Sequence, residues 1–290
     1  MKAKTIKAVL TKKHSDFVNS IKCERVKKLV EKNSIITGGS IVNMLLDEKV
    51  NDFDYYFTDR ETVIAVAEYY VEQFKQKRPD VNASVEVDGD RVKVYIPSDG
   101  MVGESEPGVI DTLDGEPVEN EQAEQATEQN KEPYRPVFLS SNAITLSDKV
   151  QLVIRFYGKP EVIHENYDFV HCTCWWRSSD GFLALPQQAL EAILTKELIY
   201  QGSKYPLCSI FRTRKFIERG WSINAGQYLK MALQLNELDL TDIDVLEEQL
   251  TGVDALYFQQ VINQLRQRKT EDPGFKVTTP YLIEVINRIF

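Results

Sequence analysis

The sequence predicts an α/β (α+β) protein in which a mixed-sheet head is followed by a helical C-terminal region. Segments that alternate polar and apolar residues, the period of a β-strand, occur between residues 34 and 176 and are separated by helical patterns. From Pro186 onward the apolar residues recur at helical spacing instead. We therefore expect a head over residues 1–185 and a helical domain over residues 186–290.

Each element of the head is predicted from local pattern. Apolar residues at helical spacing predict a helix at 15–31, and the absence of Gly and Pro predicts another at 61–76. A Gly at position 89, flanked by two aspartates, predicts the turn of a hairpin over 81–96. The remaining predicted elements are strands at 34–37, 51–57, 136–146, 149–157 and 168–176 and helices at 41–46 and 160–166.

The helical region is predicted from continuous 3.6-residue periodicity interrupted by Gly, Pro and Asn. Its predicted helices cover residues 187–200, 205–219, 225–235, 244–250, 253–269 and 279–290.

Residues 99–134 differ in composition from the rest of the chain. Gly, Pro, Glu and Gln dominate and no periodicity is present, which predicts a disordered acidic insertion within the head. The net charge of the whole chain is −9, yet residues 99–132 alone carry −10. Residues 1–32 carry +7 and residues 204–219 carry +4. Basic surface that faces an anionic partner would explain this distribution, and so would ordinary solvated helix faces.

Composition excludes several classes of protein. No apolar run approaches 18 residues and no basic-then-apolar leader opens the chain, so we expect neither a membrane protein nor a secreted one. The four cysteines lack the spacing of a disulfide framework and suit the reducing cytoplasm. Cys172 and Cys174 lack the second ligand pair that zinc requires, and we expect them to be buried.

The segment from Ser34 to Phe57 carries the clearest functional pattern. A predicted strand ends at Gly38-Gly39-Ser40, where backbone N–H groups can approach a phosphate without an intervening Cβ. A short helix follows, and its N-terminus favours anions. Asp52-Phe53-Asp54 then lies on the next strand, where residues two apart face the same side. Paired carboxylates suit Mg²⁺, so the pattern favours binding of a metal-bound triphosphate.

This segment resembles the DNA polymerase β-like nucleotidyltransferase superfamily, whose members carry Gly-Gly-Ser or Gly-Gly-x before such a strand. The spacing is similar to that of the CCA-adding and bacterial poly(A) polymerase branch, with Leu45 and Leu46 at its two leucine places. Val42 and Asn43 stand where that branch has an Arg-Asp pair, and its downstream ribose-reading motif is absent.

A second block, residues 141–221, resembles uncharacterised nucleotidyltransferase-like proteins of viruses, fungi and tailed phages. In that block a Gln-h-h-h-x-R strand, a Pro-Glu helix and a Phe-Asp strand follow one another. The similar segments here are Gln151 to Arg155, Pro160-Glu161 and Tyr167-Asp168-Phe169, and Arg214 to Trp221 is similar to the closing element. The superfamily requires a third carboxylate on a neighbouring strand. Asp168 is the candidate that this block implies, with Glu86, Asp88 and Asp90 as rivals.

The resemblance implies a metal-dependent nucleotidyltransferase that uses Mg²⁺ or Mn²⁺ to transfer NMP from an NTP to an acceptor hydroxyl. The implied roles are metal binding and catalysis for Asp52, Asp54 and Asp168, and nucleotide binding for Gly38, Gly39, Ser40, Arg212 and Lys215. An RNA 3′ end, with tRNA among the candidates, is the leading acceptor; a protein hydroxyl, as in AMP-transferring toxins, is the second. A catalytically inactive fold that serves as a binding or structural module is the alternative. We expect no membrane partner and a cytoplasmic location, including the cytoplasm of a phage-infected host.

Overall fold

The computed structural model describes residues 1–96, 101–103, 132–250 and 259–289. The helices are α1 (Ala3–Ser20), α2 (Glu24–Asn33), α3 (Gly39–Leu46), α4 (Arg60–Lys77), α5 (Pro160–His164), α6 (Gln187–Thr195), α7 (Pro206–Glu218), α8 (Ala225–Leu235), α9 (Ile243–Leu250), α10 (Gln259–Glu271) and α11 (Thr279–Ile289). The strands are β1 (Ser34–Thr37), β2 (Phe53–Phe57), β3 (Ser84–Asp88), β4 (Arg91–Tyr95), β5 (Met101–Gly103), β6 (Pro136–Ser140), β7 (Ala143–Leu146), β8 (Val150–Tyr157), β9 (Trp175–Arg177) and β10 (Phe182–Ala184). A 3₁₀ turn covers Val170–Thr173.

The predicted α/β class is confirmed. An eight-stranded sheet runs in the order β10-β9-β1-β2-β8-β7-β6-β5, and β3 and β4 form a separate hairpin. Strand β2 pairs antiparallel with β1 and parallel with β8, while the other described pairs of this sheet are antiparallel. The sheet is therefore mixed, and its one parallel pair lies at the centre.

The two faces of the central strands are packed differently. Tyr55 and Phe57 of β2 are fully buried in the main core, to which α1, α2 and α4 also contribute. On the opposite face, which we call the site face, Ile35 and Tyr56 belong to a much smaller apolar cluster. Burying large apolar side chains stabilises the core face by about 1.5–3 kcal/mol each. The site face thus has room for polar groups.

Part of the helical region joins the core of the head. Ile193 of α6, Trp221 and Met231 of α8 pack into the main core. The later helices surround a second cluster that includes Cys208, Ile243 and Leu265. The boundary at residues 185 and 186 stays a prediction, and α6 and α8 contact the head directly.

Three predicted elements differ from the observed ones near the sheet. The helix predicted over 15–31 is interrupted, because Ile21 and Cys23 are extended and the Lys22 amide donates to the Tyr69 hydroxyl at 3.0 Å. The strand predicted over 136–146 is the β6–β7 hairpin, which reverses at Ser141–Asn142. In the predicted acidic insertion, 101–103 form β5, and 104–131 lie outside the described residues.

The strand predicted over 168–176 is the clearest error. The chain forms a 3₁₀ turn at Val170–Thr173 and becomes a strand only at Trp175. Phe169 and His171 are both fully buried, and their rings contact Phe216 at centroid distances of 5.6 and 4.7 Å. This segment therefore packs beside α6 and against Phe216 of α7 and does not extend the strand.

The remaining helices match the predicted ones within a few residues, except that 187–200 ends early at Thr195 and 253–258 lie outside the described residues. Within the described part of the chain, no helix is both long and apolar enough to cross a bilayer.

Candidate functional site

A row of side chains crosses the site face where β1 ends and β2 begins. Thr37 pairs with Asp54 on one side and with Trp175 on the other. Asp54 in turn pairs with Gln151 of β8. Directly paired residues point to the same face of a sheet, so these four side chains form one continuous row. Asp54 is half-buried at its centre.

Gly38 lies against the Asp54 carboxylate. Its backbone has φ +88° and ψ −148°, a region that is essentially restricted to glycine. A Cβ at this position would lie 3.0 Å from Oδ2 of Asp54 and 3.5 Å from the Tyr167 hydroxyl. At Gly39 an added Cβ would meet no atom within 4 Å. The first glycine is therefore required by the approach to Asp54, whereas the second faces open space.

Helix α3 begins immediately after this turn and has no side-chain cap. Gly38 occupies the N-cap position, and the first turn contains no acidic residue. Ser40 is 1% exposed, and its Oγ has no hydrogen-bond partner among the described residues. Uncapped N–H groups at a helix N-terminus attract anions, and a buried hydroxyl without a partner is costly. Both features favour a phosphate at this helix end.

Two buried phenols and a thiol border Asp54. The hydroxyls of Tyr56 and Tyr167 share a hydrogen bond, and their ring centroids are 6.0 Å apart. Burial and the Asp54 charge raise the pKa of Tyr56, and burial and its neighbours raise that of Tyr167. Burial, together with the charges of Asp168 and Asp54, raises the pKa of the Cys172 thiol. All three groups are therefore neutral at physiological pH.

Thr37 lies between Asp54 and β9 in this row. Its hydroxyl donates to the Cys174 carbonyl at 2.9 Å and lies 2.9 Å from Nε2 of His164. Burial lowers the pKa of His164 to about 4, so this imidazole is neutral at physiological pH. His164 therefore has a structural role beside the site. Cys174 is buried and unbridged, as predicted.

Asp168 forms an ion pair instead of standing on a neighbouring strand. Its Oδ2 accepts a hydrogen bond from Nη1 of Arg212 at 2.7 Å. The residue precedes the 3₁₀ turn and is 6% exposed. The strand that does lie beside Asp54 is β8, which places Gln151 there. The prediction of a strand-borne third carboxylate is wrong in this respect, although Asp168 and Asp54 both act on Cys172.

The other predicted site residues are more exposed. Asp52 is exposed and lies one residue before β2, at the end of the loop that follows α3. Lys215 is exposed on α7, and no described contact joins it to the group around Asp54. Arg212 does reach that group, because its charge acts on Tyr56 as well as on Asp168.

The residues present are compatible with a divalent cation bound together with a phosphate ligand. Among the described residues, no group of three or more His, Cys, Asp or Glu side chains could hold a metal alone. Magnesium commonly uses one or two carboxylates and completes its shell with water and substrate phosphates. Asp54, supported by Gly38 and the unpartnered Ser40 hydroxyl, fits that mode of binding.

Sequence reasoning missed the residues that complete the site from elsewhere in the chain. Gln151 is recognisable only once the register of β2 and β8 is known. Tyr167 and Cys172 lie on either side of Asp168 in sequence, but their places near Asp54 follow from the 3₁₀ turn. Arg219, which directly follows α7, contacts Glu48 in the loop that carries Asp52, and this contact follows from the docking of α7.

A family model matches residues 8–196, more than half of the chain, and its description is Gabija anti-defense 2 family protein. The chain belongs to the Gabija anti-defense 2 family. The matched region contains Gly38, Asp54 and Asp168 and ends before α7. No curated relative matches the sequence.

Several solved structures resemble this Gabija anti-defense 2 family member at a distance. The Thermotoga maritima CCA-adding enzyme complexed with tRNA has a TM-score of 0.38 and 11% identity, with 92% of this chain and 57% of that chain covered. The Bacillus stearothermophilus CCA-adding enzyme in complex with CTP has a TM-score of 0.37 and 12% identity, with 88% and 50% covered. The chain thus spans about half of the length of these enzymes. At such TM-scores, function has to be judged from the residues of the site itself.

Proposed function

We propose that the protein is a metal-dependent nucleotidyltransferase that transfers NMP from an NTP to an acceptor hydroxyl, with release of pyrophosphate, and thereby counters the Gabija defence. One observation carries the proposal. Gly38 brings the turn before α3 against the Asp54 carboxylate, so a phosphate at the helix N-terminus would lie beside a metal-binding group. The family description supplies the biological setting.

Some residues of the site would bind the cation, and others would bind the phosphates. Asp52 and Asp54 would hold Mg²⁺ or Mn²⁺ together with triphosphate oxygens. The cation, when bound, neutralises phosphate charge and favours in-line attack by the acceptor oxygen. The amides of Gly39 and Ser40 would bind the β- and γ-phosphates, and the Ser40 hydroxyl, which has no partner among the described residues, would donate to them.

Asp168 and Arg212 act as a unit in this proposal. Asp168 orients the guanidinium by accepting from Nη1, and the positive charge of Arg212 would stabilise negative charge that develops on the transferred phosphate. Asp168 also remains the predicted ligand on the acceptor side. In that role its carboxylate would have to exchange Arg212 for the cation. Lys215 stays a predicted contact to the nucleotide or the acceptor.

The acceptor is proposed from the family and from charge. Basic segments at residues 1–32 and 204–219 favour an anionic acceptor such as an RNA 3′ end, with tRNA among the candidates. The family description favours an acceptor on which the Gabija defence depends. A hydroxyl of a Gabija protein is therefore the second acceptor.

A transfer assay tests the proposal. The purified chain is incubated with Mg²⁺ or Mn²⁺ and each α-³²P-labelled NTP. Total RNA and an extract of cells that carry Gabija are supplied as separate acceptors. We expect label in one acceptor with the natural sequence and none with Asp54→Asn, a variant that keeps the shape of the side chain and removes its charge. Label that is absent with every NTP, or equal in the variant, would refute the proposed reaction.

The ion pair between Asp168 and Arg212 supports a second candidate, a nucleotidyltransferase fold retained as a binding module. In that case the carboxylate serves the fold alone, and Val42 and Asn43 reflect the lost chemistry. Cells that carry Gabija and express Asp54→Asn distinguish the two. Counter-defence that survives the substitution supports the binding module, and counter-defence that is lost, with the variant folded, supports catalysis.

A further inference from the structure

The loop between α3 and β2, residues 47–52, is held tightly onto the end of α3. Asp47 adopts a left-handed conformation with φ 62°, and the Glu48 amide donates to the Asn43 carbonyl at 2.8 Å. The Asn43 side-chain amide donates to the Lys49 carbonyl at 2.9 Å. This is the hydrogen-bond pattern of a Schellman motif with Asp in the usual glycine position. Asp52 lies at the end of this loop, so its position depends on how the loop is held.

Two basic side chains from beyond residue 185, those of Arg219 and Lys196, also hold this loop. Nη2 of Arg219 donates to Oδ1 of Asn43 and to Oε2 of Glu48, each at 2.6 Å. Nζ of Lys196 donates to Oε1 of Glu48 at 3.2 Å. Burial raises the pKa of Glu48, but hydrogen bonds from Arg219 and Lys196 outweigh it and leave this pKa below its usual value. Glu48 is therefore ionised at physiological pH and holds both cations.

Helix α7 gives Arg219 a rigid base. Arg212 lies on α7, and Arg219 is its C-cap, the residue directly after the last helical residue Glu218. Arg212 forms an ion pair with Asp168 at 2.7 Å. Between the two arginines in sequence, the ring of Phe216 packs against His171 and Trp221, at centroid distances of 4.7 and 5.8 Å. One helix thus contacts both acidic segments of the site.

We propose that Arg219 is a positioning residue that sets the place of Asp52, and through it the affinity for the divalent cation, without touching the nucleotide. The clamp formed by Asn43, Glu48 and Arg219 holds the first residues of the loop 47–52, at whose end Asp52 lies. Both contacts come from the single nitrogen Nη2 of Arg219, which has two hydrogens to donate to the two acceptors. The inference rests on the proposed function for its link to catalysis, and its structural part is measured separately.

The test compares Arg219→Met with Arg214→Met in the full chain. Arg214 is a matched control, because it lies in the last part of α7, the helix that Arg219 follows, and forms an exposed ion pair with Glu218 at 3.0 Å. Hydrogen exchange of peptides that cover residues 47–52 reports on the clamp, and Mn²⁺ titration followed by electron paramagnetic resonance reports on metal affinity. We expect exchange about tenfold faster and Mn²⁺ binding about fivefold weaker in Arg219→Met, with Arg214→Met unchanged.

Glu48→Gln removes the negative charge that Arg219 contacts, so it should also speed exchange of residues 47–52 and weaken Mn²⁺ binding. This second variant tests the proposal if Arg219→Met does not fold. In the transfer assay the Mn²⁺ concentration for half-maximal rate should rise about fivefold, while the rate at saturating Mn²⁺ stays within twofold. Unchanged exchange, or faster exchange with unchanged Mn²⁺ affinity, would overturn the proposal. A natural sequence that transfers no label refutes the transferase function alone, since exchange and Mn²⁺ binding are measured without it.

Discussion

At the scale of single residues, Gly38 couples the shape of the backbone to the charge of the site. Its φ of +88° excludes other residues without strain, and the missing Cβ leaves room for Oδ2 of Asp54. Gly89 also has a positive φ, of +56°, but an added Cβ there would meet no atom within 4 Å. Alanine at Gly89 therefore measures the free-energy cost of the backbone conformation alone, whereas alanine at Gly38 adds the cost of crowding the Asp54 carboxylate.

Gly38→Ala should destabilise the protein by about 1–3 kcal/mol, because alanine is strained at this backbone conformation. It should also reduce transfer by at least tenfold, since the new methyl group displaces Asp54. Gly89→Ala should cost a similar or smaller amount of stability, about 1–2 kcal/mol, and leave transfer unchanged. Urea unfolding and the labelled-NTP assay measure the two quantities. Full transfer by Gly38→Ala would mean that the contact with Asp54 has no part in the reaction.

The ion pair between Asp168 and Arg212 is the second prediction at this scale. Asp168→Asn should lower the free energy of unfolding by about 2 kcal/mol, because it leaves a partly buried guanidinium with a weaker acceptor. Arg212→Gln should lower it comparably, and the double variant should lose less than the sum of the two. Unfolding of all four proteins gives the coupling energy. A coupling energy of zero would show that the pair does not stabilise the fold.

Transfer kinetics then separate the two proposed roles of Asp168. If Asp168 binds the cation, Asp168→Asn should raise the Mn²⁺ concentration that gives half-maximal transfer. Arg212→Gln should lower the transfer rate without changing that concentration. Equal Mn²⁺ requirements in both single variants would assign Asp168 to the orientation of Arg212 alone.

At the scale of elements, α4 shows how local sequence determines a boundary. Asp59 caps this helix, since its Oδ1 accepts from the Thr62 amide at 2.8 Å. Asp59→Ala should therefore cost about 1 kcal/mol of stability and leave transfer unchanged, because α4 packs on the core face of the sheet. Asp80→Ala is the control: its carboxylate is exposed and forms a surface ion pair with Arg78, so no measurable loss is expected. Equal stability of both variants would show that the cap contributes nothing.

Elements whose pattern is set by their own side chains could be predicted from the sequence. Strand β1 was predicted at its exact bounds, and α4 within one residue at each end, because caps and periodicity are local signals. The segment 168–176 was predicted wrongly, because Phe169 and His171 alternate like a strand but are buried against Phe216 of a distant helix. Alternation within a segment cannot reveal that its packing partner lies on a helix some forty residues later in the chain.

The same distinction separates the parts of the candidate site. Gly38 and Asp54 were predicted as one unit because they lie within one short segment, and the structure brings them into contact. Gln151 and Arg219 were not predicted, because their places follow from the parallel pairing of β2 with β8 and from the docking of α7. A sequence pattern thus locates the centre of the site, and the topology supplies its surroundings.

At the scale of the whole molecule, His14 and His171 are buried and His164, the third histidine of the chain, is half-buried. Burial lowers the pKa of His14 and of His164 to about 4. Burial and the charge of Arg219 lower that of His171 to about 3. In the unfolded chain each titrates near 6.5, so on acidification the unfolded state takes up the protons first. The stability present above about pH 6.5 is therefore lost as the pH falls towards 4.

His171→Phe tests this origin of acid sensitivity. The imidazole lies among Phe169, Phe216 and Trp221, and neither ring nitrogen has a hydrogen-bond partner among the described residues, so phenylalanine suits the site. Each buried histidine contributes up to about 1.4 kcal/mol per pH unit to the fall in stability. Urea unfolding between pH 7 and 5 should therefore show a slope about one third smaller in the variant, with stability at pH 7 equal or higher. Carboxylates such as Glu48, whose pKa lies below its usual value, lose their contribution only below about pH 4.3 and do not affect this range. An unchanged slope would mean that His171 is protonated in the folded protein, and the aromatic cluster that supports α7 would then have to accommodate a positive charge.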